Sequence, residues 1–188
     1  MEDEPAEADR VAVGEGHRSL DRDQTRGALF SAIISTVAPA VSIAPATEEE
    51  RDWVSSLMAG SEPWITLGAT RQDCDRACHD PGYLLYVAHR DGRPCGAILL
   101  ERRGVAGSPY VKSIAVEETS RSAGVGSALL AFAENLFRGE ARHIFLCVSS
   151  FNARARIFYE RHGYQAVGEL EDYAIVGASE LLMHKRLR

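Results

Sequence analysis

Two stretches of the chain carry residues whose types and spacing could do chemistry. The first is Arg121-Ser122-Ala123-Gly124-Val125-Gly126-Ser127, followed at once by the apolar run ALLAFAENLF. A helix start presents unpaired N–H groups and the positive end of the helix dipole. Glycine has no Cβ to hold an oxyanion away from the backbone. With Arg121 as an added cation, the segment suits a phosphate or diphosphate. A purely structural strand-to-helix turn would read the same way from these residues alone. The second stretch, Asn152 to Tyr164 (NARARIFYERHGY), sets Phe158 and Tyr159 on a short helix that Gly163 ends.

Familiar phosphate motifs do not account for the first stretch. A dinucleotide fingerprint wants a third glycine where Leu129 stands, and a P-loop wants Gly-Lys-Ser/Thr. The two lysines, Lys112 and Lys185, lie in no such loop. There is no GxSxG elbow and no HExxH helix. Cys74 and Cys78, with His79 beside them, invite a metal reading. However, Cys74, Ala77 and Cys78 fall on one face of a short helix, and core packing is the expectation, with no metal.

These stretches must be positioned by the elements around them. VSIAP at 41–45 reads as a short strand. Thr47 with Glu50, and Thr70 with Asp73, are capping boxes that open two helices. SEPWITLG between them reads as a loop. YLLYVAHR and PCGAILLER alternate as strands joined by a tight turn at Asp91-Gly92. YVKSIAV (110–116) is a strand, the glycine segment leads into a helix over 127–137, and HIFLCV is a buried strand. A helix over NARARIFYERHG and the strands YQAVGEL and ELLMHKRL complete the order. Three consecutive strands predict an antiparallel meander, and the helix between the fourth and fifth strands predicts a parallel crossover. The fold class is α/β with a mixed sheet and helices on both faces.

The chain has 188 residues and a formal net charge of −6. Residues 1–40 hold eight acids against four arginines, so residues 41–188 carry only −2. No basic surplus points to nucleic acid. Residues 1–40 read as an acidic, partly disordered extension, and 41–188 as the functional domain. The uncharged run at 28–45 contains Pro39 and Pro45 and is weakly apolar. The acidic start is unlike a signal peptide, so neither membrane nor export is expected. Four cysteines without a CxxC pair suit a reducing, cytoplasmic setting.

YVKSIAV, Arg121-x-x-Gly124-x-Gly126, and Asn152…Ala155…Phe158-Tyr159…Gly163-Tyr164 together resemble the GCN5-related N-acetyltransferase (GNAT) superfamily. The resemblance runs from about residue 41 to 187. It implies a mostly antiparallel central sheet whose parallel fourth and fifth strands splay apart. It implies acetyl-CoA as co-substrate, with the diphosphate on Arg121, Ser122, Ala123, Gly124, Val125, Gly126 and Ser127. The pantetheine arm would lie along Ile114, Ala115 and Val116. Ile114 N–H would be the oxyanion donor, and Tyr159 the acid that protonates the leaving thiolate. Asn152 and Ala155 would border the cofactor, although Asn152 reads equally as a helix cap.

The function implied is acetyl transfer to a primary amine, on a small molecule or a peptide. The alternative from another class is a non-catalytic acyl-CoA-binding sensor or interaction module on the same fold. A nucleotide-binding regulator is a third. Glu62 and Trp64 are candidate acceptor contacts, and Glu62 and Glu101 candidate bases. Each acid reads equally as a surface group, and Trp64 as a core plug. An exposed strand at the end of the sheet allows a homodimer.

Overall fold

The structure is a computed structural model that describes residues 41–188. The acidic extension and the uncharged run up to residue 40 lie outside the described residues. Seven strands and four helices follow in the expected order. They are β1 (Ser42–Pro45), α1 (Glu48–Ala59), α2 (Arg71–His79), β2 (Tyr83–Arg90), β3 (Arg93–Glu101), β4 (Tyr110–Val116), α3 (Val125–Leu136), β5 (His143–Ser149), α4 (Ala153–Arg161), β6 (Gln165–Leu170) and β7 (Glu180–Arg186). They form one sheet in the order β1-β2-β3-β4-β5-β7-β6. Every neighbouring pair is antiparallel except β4–β5.

Local chemistry sets the ends of the elements. Thr47 accepts from Glu50 N and Glu50 accepts from Thr47 N, and Thr70 and Asp73 repeat the arrangement at α2. Asp91 (φ 52°) and Gly92 (φ 72°) turn the β2–β3 hairpin in the left-handed region that such a two-residue loop requires. Two details depart from the expectation. Segment 61–68 is a run of hydrogen-bonded turns: Leu67 N bonds Pro63 O at 2.9 Å and Ala69 N bonds Trp64 O at 2.9 Å. Helix α3 also begins at Val125, two residues earlier than read. Gly124, at φ 83°, brings the chain straight into the helix and puts Val125 and Gly126 in its first turn.

The sheet has a core on each face. On one, Leu129, Leu130 and Ala133 of α3 pack on Ile98, Val111 and Leu146. On the other, α1 and α2 bury Val54, Met58, Cys74 and Cys78 against Val87 and Leu99. Each large apolar side chain so buried contributes about 1.5–3 kcal/mol. The two cysteines are therefore core groups, with Cys78 Sγ 4.0 Å from Met58 Sδ. Burial pushes the Cys78 thiol up to about 11.

Candidate active site

Strands β4 and β5 start paired and then part. Tyr110 pairs with Phe145 and Val111 with Leu146, and the ladder stops there. The cause lies on the other side of β4. Leu99 of β3 stands opposite Ser113 and Leu100 opposite Val111, so Lys112 is an extra, bulged residue. A bulge bends its strand and ends pairing beyond it. Ile114, Ala115 and Val116 thus keep β3 as a partner but have no strand on the β5 side. Their outward backbone groups are available to an extended ligand, because unpaired backbone donors and acceptors need partners.

Val116 leads to the start of α3, which differs from the other helix starts. Thr47, Thr70 and Asn152 cap α1, α2 and α4 with side-chain oxygens, whereas α3 has no side-chain cap and no acid in its first turn. Its first main-chain bond is from Ala128 N to Gly124 O at 2.9 Å, which leaves the Val125, Gly126 and Ser127 amides open. A Cβ on Gly126 would lie 3.4 Å from the Phe158 ring and 3.9 Å from Val116 Cγ2. The helix start therefore nestles between α4 and the end of β4. Uncapped amides, an uncompensated dipole and a missing Cβ fit a diphosphate.

Residues distant in sequence hold this loop. Arg90, at the end of β2, donates to Ala123 O at 2.8 Å. Its Nε is buried without a partner among the described residues. Arg121 Nε donates to Val116 O at 3.3 Å, and the rest of its exposed guanidinium faces solvent. His162 Nδ1 lies 2.8 Å from Phe158 O; a carbonyl only accepts, so this nitrogen carries the proton. In the neutral ring Nε2 then accepts from the Ser127 hydroxyl at 2.9 Å, which ties α4 to the first turn of α3. Sequence reasoning did not single out Arg90 or His162. Their partners are 33 and 35 residues away, so no local pattern marks them.

Tyr159 of α4 is half-buried against the α3-side core. Its ring centroid is 5.3 Å from that of Phe158 and 5.9 Å from that of Tyr164. Burial alone pushes its phenol up to about 12, with no hydrogen bond or charge contributing. The hydroxyl is thus a protonated donor. Asn152 Oδ1 accepts from Ala155 N at 3.1 Å, so its side chain serves as the α4 cap. Glu62 is exposed and accepts from Thr66 N at 3.2 Å, a local turn bond. Trp64 packs partly against the core under α1 and α2. Glu101 ends β3 opposite Tyr110.

A mixed sheet split between two parallel strands, with an open helix start at the mouth of the split, is a scaffold for acyl transfer. A family model described as an acetyltransferase (GNAT) domain matches residues 81–166. An uncharacterized N-acetyltransferase of Methanocaldococcus jannaschii is 38% identical over 103 residues, covering 54% of this chain and 65% of that relative's length. Among solved structures, nourseothricin acetyltransferase is 30% identical, with a TM-score of 0.53, over 58% of this chain and 68% of that one. An aminoglycoside 6'-N-acetyltransferase complexed with coenzyme A shares the fold at a TM-score of 0.63 and 16% identity, over 78% of this chain and 97% of that one. This chain belongs to the GNAT acetyltransferase family.

Proposed function

We propose that the protein is an N-acetyltransferase that moves an acetyl group from acetyl-CoA to a primary amine. The observation that carries this reading is the β4–β5 split ending at the uncapped start of α3. In this reading residues 41–188 are the catalytic domain and residues 1–40 an extension. Acetyl-CoA supplies an activated acyl thioester. The open amides of Val125, Gly126 and Ser127, with Arg121, hold its diphosphate, and Ile114 to Val116 pair with its extended arm. The Ile114 N–H donates to the charge that builds on the acyl oxygen. The Tyr159 hydroxyl donates to the departing sulfur. No metal enters this scheme.

The four cysteines are free thiols, which suits a cytoplasmic location, and no helix among the described residues is long and apolar enough to cross a membrane. Edge strand β6 and the chain after it expose Val167, Leu170, Tyr173 and Val176, which supports a homodimer as part of the proposal. Calorimetry tests the reading. Acetyl-CoA should bind in the micromolar range, and failure to bind any CoA ester overturns it. Thiol release in a panel of primary amines then separates an enzyme from a non-catalytic acyl-CoA-binding module.

A further inference from the structure

The sheet face away from α3 holds a cluster that the acyl-donor cleft does not use. Ile144, Leu146 and Val148 of β5 point into the α3-side core, so Cys147 and Ser149 point to the other face. Leu181 and Met183 of β7 also belong to the α3 side, which puts Glu180 and Leu182 with Cys147 and Ser149. The register sets Ser149 opposite Glu180 and Cys147 opposite Leu182. Tyr110 joins from β4. Burial, hydrogen bonding with Cys147 and the nearby Glu180 charge all hold its phenol protonated, well above the ordinary tyrosine value.

Glu180 is the unusual member. It is 8% exposed, and its neighbour Ser149 is 4% exposed. The Ser149 hydroxyl donates to Glu180 Oε1. The other buried carboxylate, Glu134, meets Lys185 Nζ at 2.6 Å, but no cation among the described residues pairs with Glu180. Lys112 acts on the Cys147 thiol, yet its own side chain is exposed and makes no ion pair with Glu180. A carboxylate taken from water with one hydroxyl donor is costly, and an arriving cation offsets that cost.

The position of Glu180 points to which cation this is. Because Lys112 is the bulged residue, Ile114 stands two steps past the last β4–β5 pair, Val111–Leu146, and so opposite Val148 across the split. Ser149 follows Val148, and Glu180 pairs with Ser149 one strand further, so its carboxyl group stands one step past the proposed oxyanion donor. On this face α1 and α2 pack over β2 to β4, while Phe145, Cys147, Leu182 and His184 remain half-exposed. The connection at 171–179 that leads into Glu180 exposes Tyr173 and Val176.

We propose that Glu180, steadied by Ser149, seats the ammonium group of the acceptor, which gives up a proton to solvent before the neutral amine attacks the thioester, and hence that the acceptor is a cationic amine carrying an apolar flank. The proposal rests on the acyltransferase reading. Cys147 reports on it, because the other three cysteines are buried and it alone is half-exposed. The probe is ethylammonium chloride, with sodium chloride at equal ionic strength as the control and coenzyme A present.

Ethylammonium should slow Cys147 alkylation in the wild type by at least about threefold, as a protecting ligand at twice its dissociation constant does. Sodium should not. Glu180→Gln keeps the shape and removes the charge, and should abolish protection without changing CoA affinity. Ser149→Ala keeps the charge and should retain protection. Equal slowing in wild type and Glu180→Gln, or no slowing in the wild type, overturns the ammonium seat. Should Glu180→Gln not fold, the wild-type comparison of ethylammonium with sodium decides alone. Loss of the seat with CoA still bound leaves the acyltransferase reading intact, whereas no CoA binding by the wild type overturns both.

Discussion

Replacing Tyr159 with Phe tests the proposed acid with little disturbance of the fold. The phenyl ring keeps the edge contact with Phe158 at 5.3 Å and the tilted contact with Tyr164 at 5.9 Å. Only the hydroxyl is lost, and no hydrogen bond or neighbouring charge contributes to its raised pKa. Stability should therefore change little. The pKa decides how large the rate effect is. A phenol at about 12 is a weaker acid than an ordinary thiol at about 8.5, so full proton transfer to a free thiolate is uphill. Tyr159 then acts by donating a hydrogen bond to sulfur as negative charge builds. A hydrogen bond to a charged group contributes about 1.5–3 kcal/mol. That corresponds to a loss of roughly 10- to 150-fold in kcat.

The loss should appear in kcat more than in KM for acetyl-CoA, since the bond strengthens only as the reaction proceeds. The pH profile supplies a second check. The hydroxyl stays protonated until pH approaches about 12, so ionisation of Tyr159 produces no fall in rate between neutral pH and pH of about 10. Steady-state assays of wild type and variant, with melting temperatures measured alongside, give the answer. A kcat loss below about threefold with an unchanged melting temperature would refute Tyr159 as the donor.

Two further substitutions address the diphosphate seat. Gly126→Val places a branched side chain against the Phe158 ring, which lies 3.4 Å from the Cβ position, and over the open amides. CoA binding should weaken by about 2 kcal/mol or more in calorimetry, the scale of lost charge-assisted hydrogen bonds. Unchanged affinity in a folded variant would make the loop a mere turn. Gly96→Ala would set a Cβ 2.8 Å from Val125 Cγ1 and 3.1 Å from Ala115 O, forcing the first turn of α3 off the sheet. Overpacking of this kind costs about 1–3 kcal/mol, so the melting temperature and CoA affinity should fall together. Unchanged CoA affinity in a destabilised variant would mean that the seat does not depend on this packing.

Much of the fold was legible in the sequence because the interactions involved are local. Thr47 with Glu50 and Thr70 with Asp73 are cap partners three residues apart, and they open the helices that the structure contains. Asp91-Gly92 turns its hairpin through the backbone freedom of two adjacent residues. The glycine segment announced an open helix start, because Gly124 and Gly126 act through their own missing side chains. The resemblance carried by Arg121 to Gly126 and Asn152 to Tyr164 then pointed to the family.

The tertiary structure decided what depends on partners far along the chain. The split between β4 and β5 requires the register of β4 on β3, which alone makes Lys112 a bulge. The hold of Arg90 on Ala123, and of His162 on Ser127, exists only once the sheet and α4 bring them together. Glu180 reads in sequence as one polar residue at a strand start. Its burial beside Ser149 arises from the β5–β7 pairing across 31 residues, and that pairing turns an ordinary acid into a buried carboxyl group with no cation partner among the described residues.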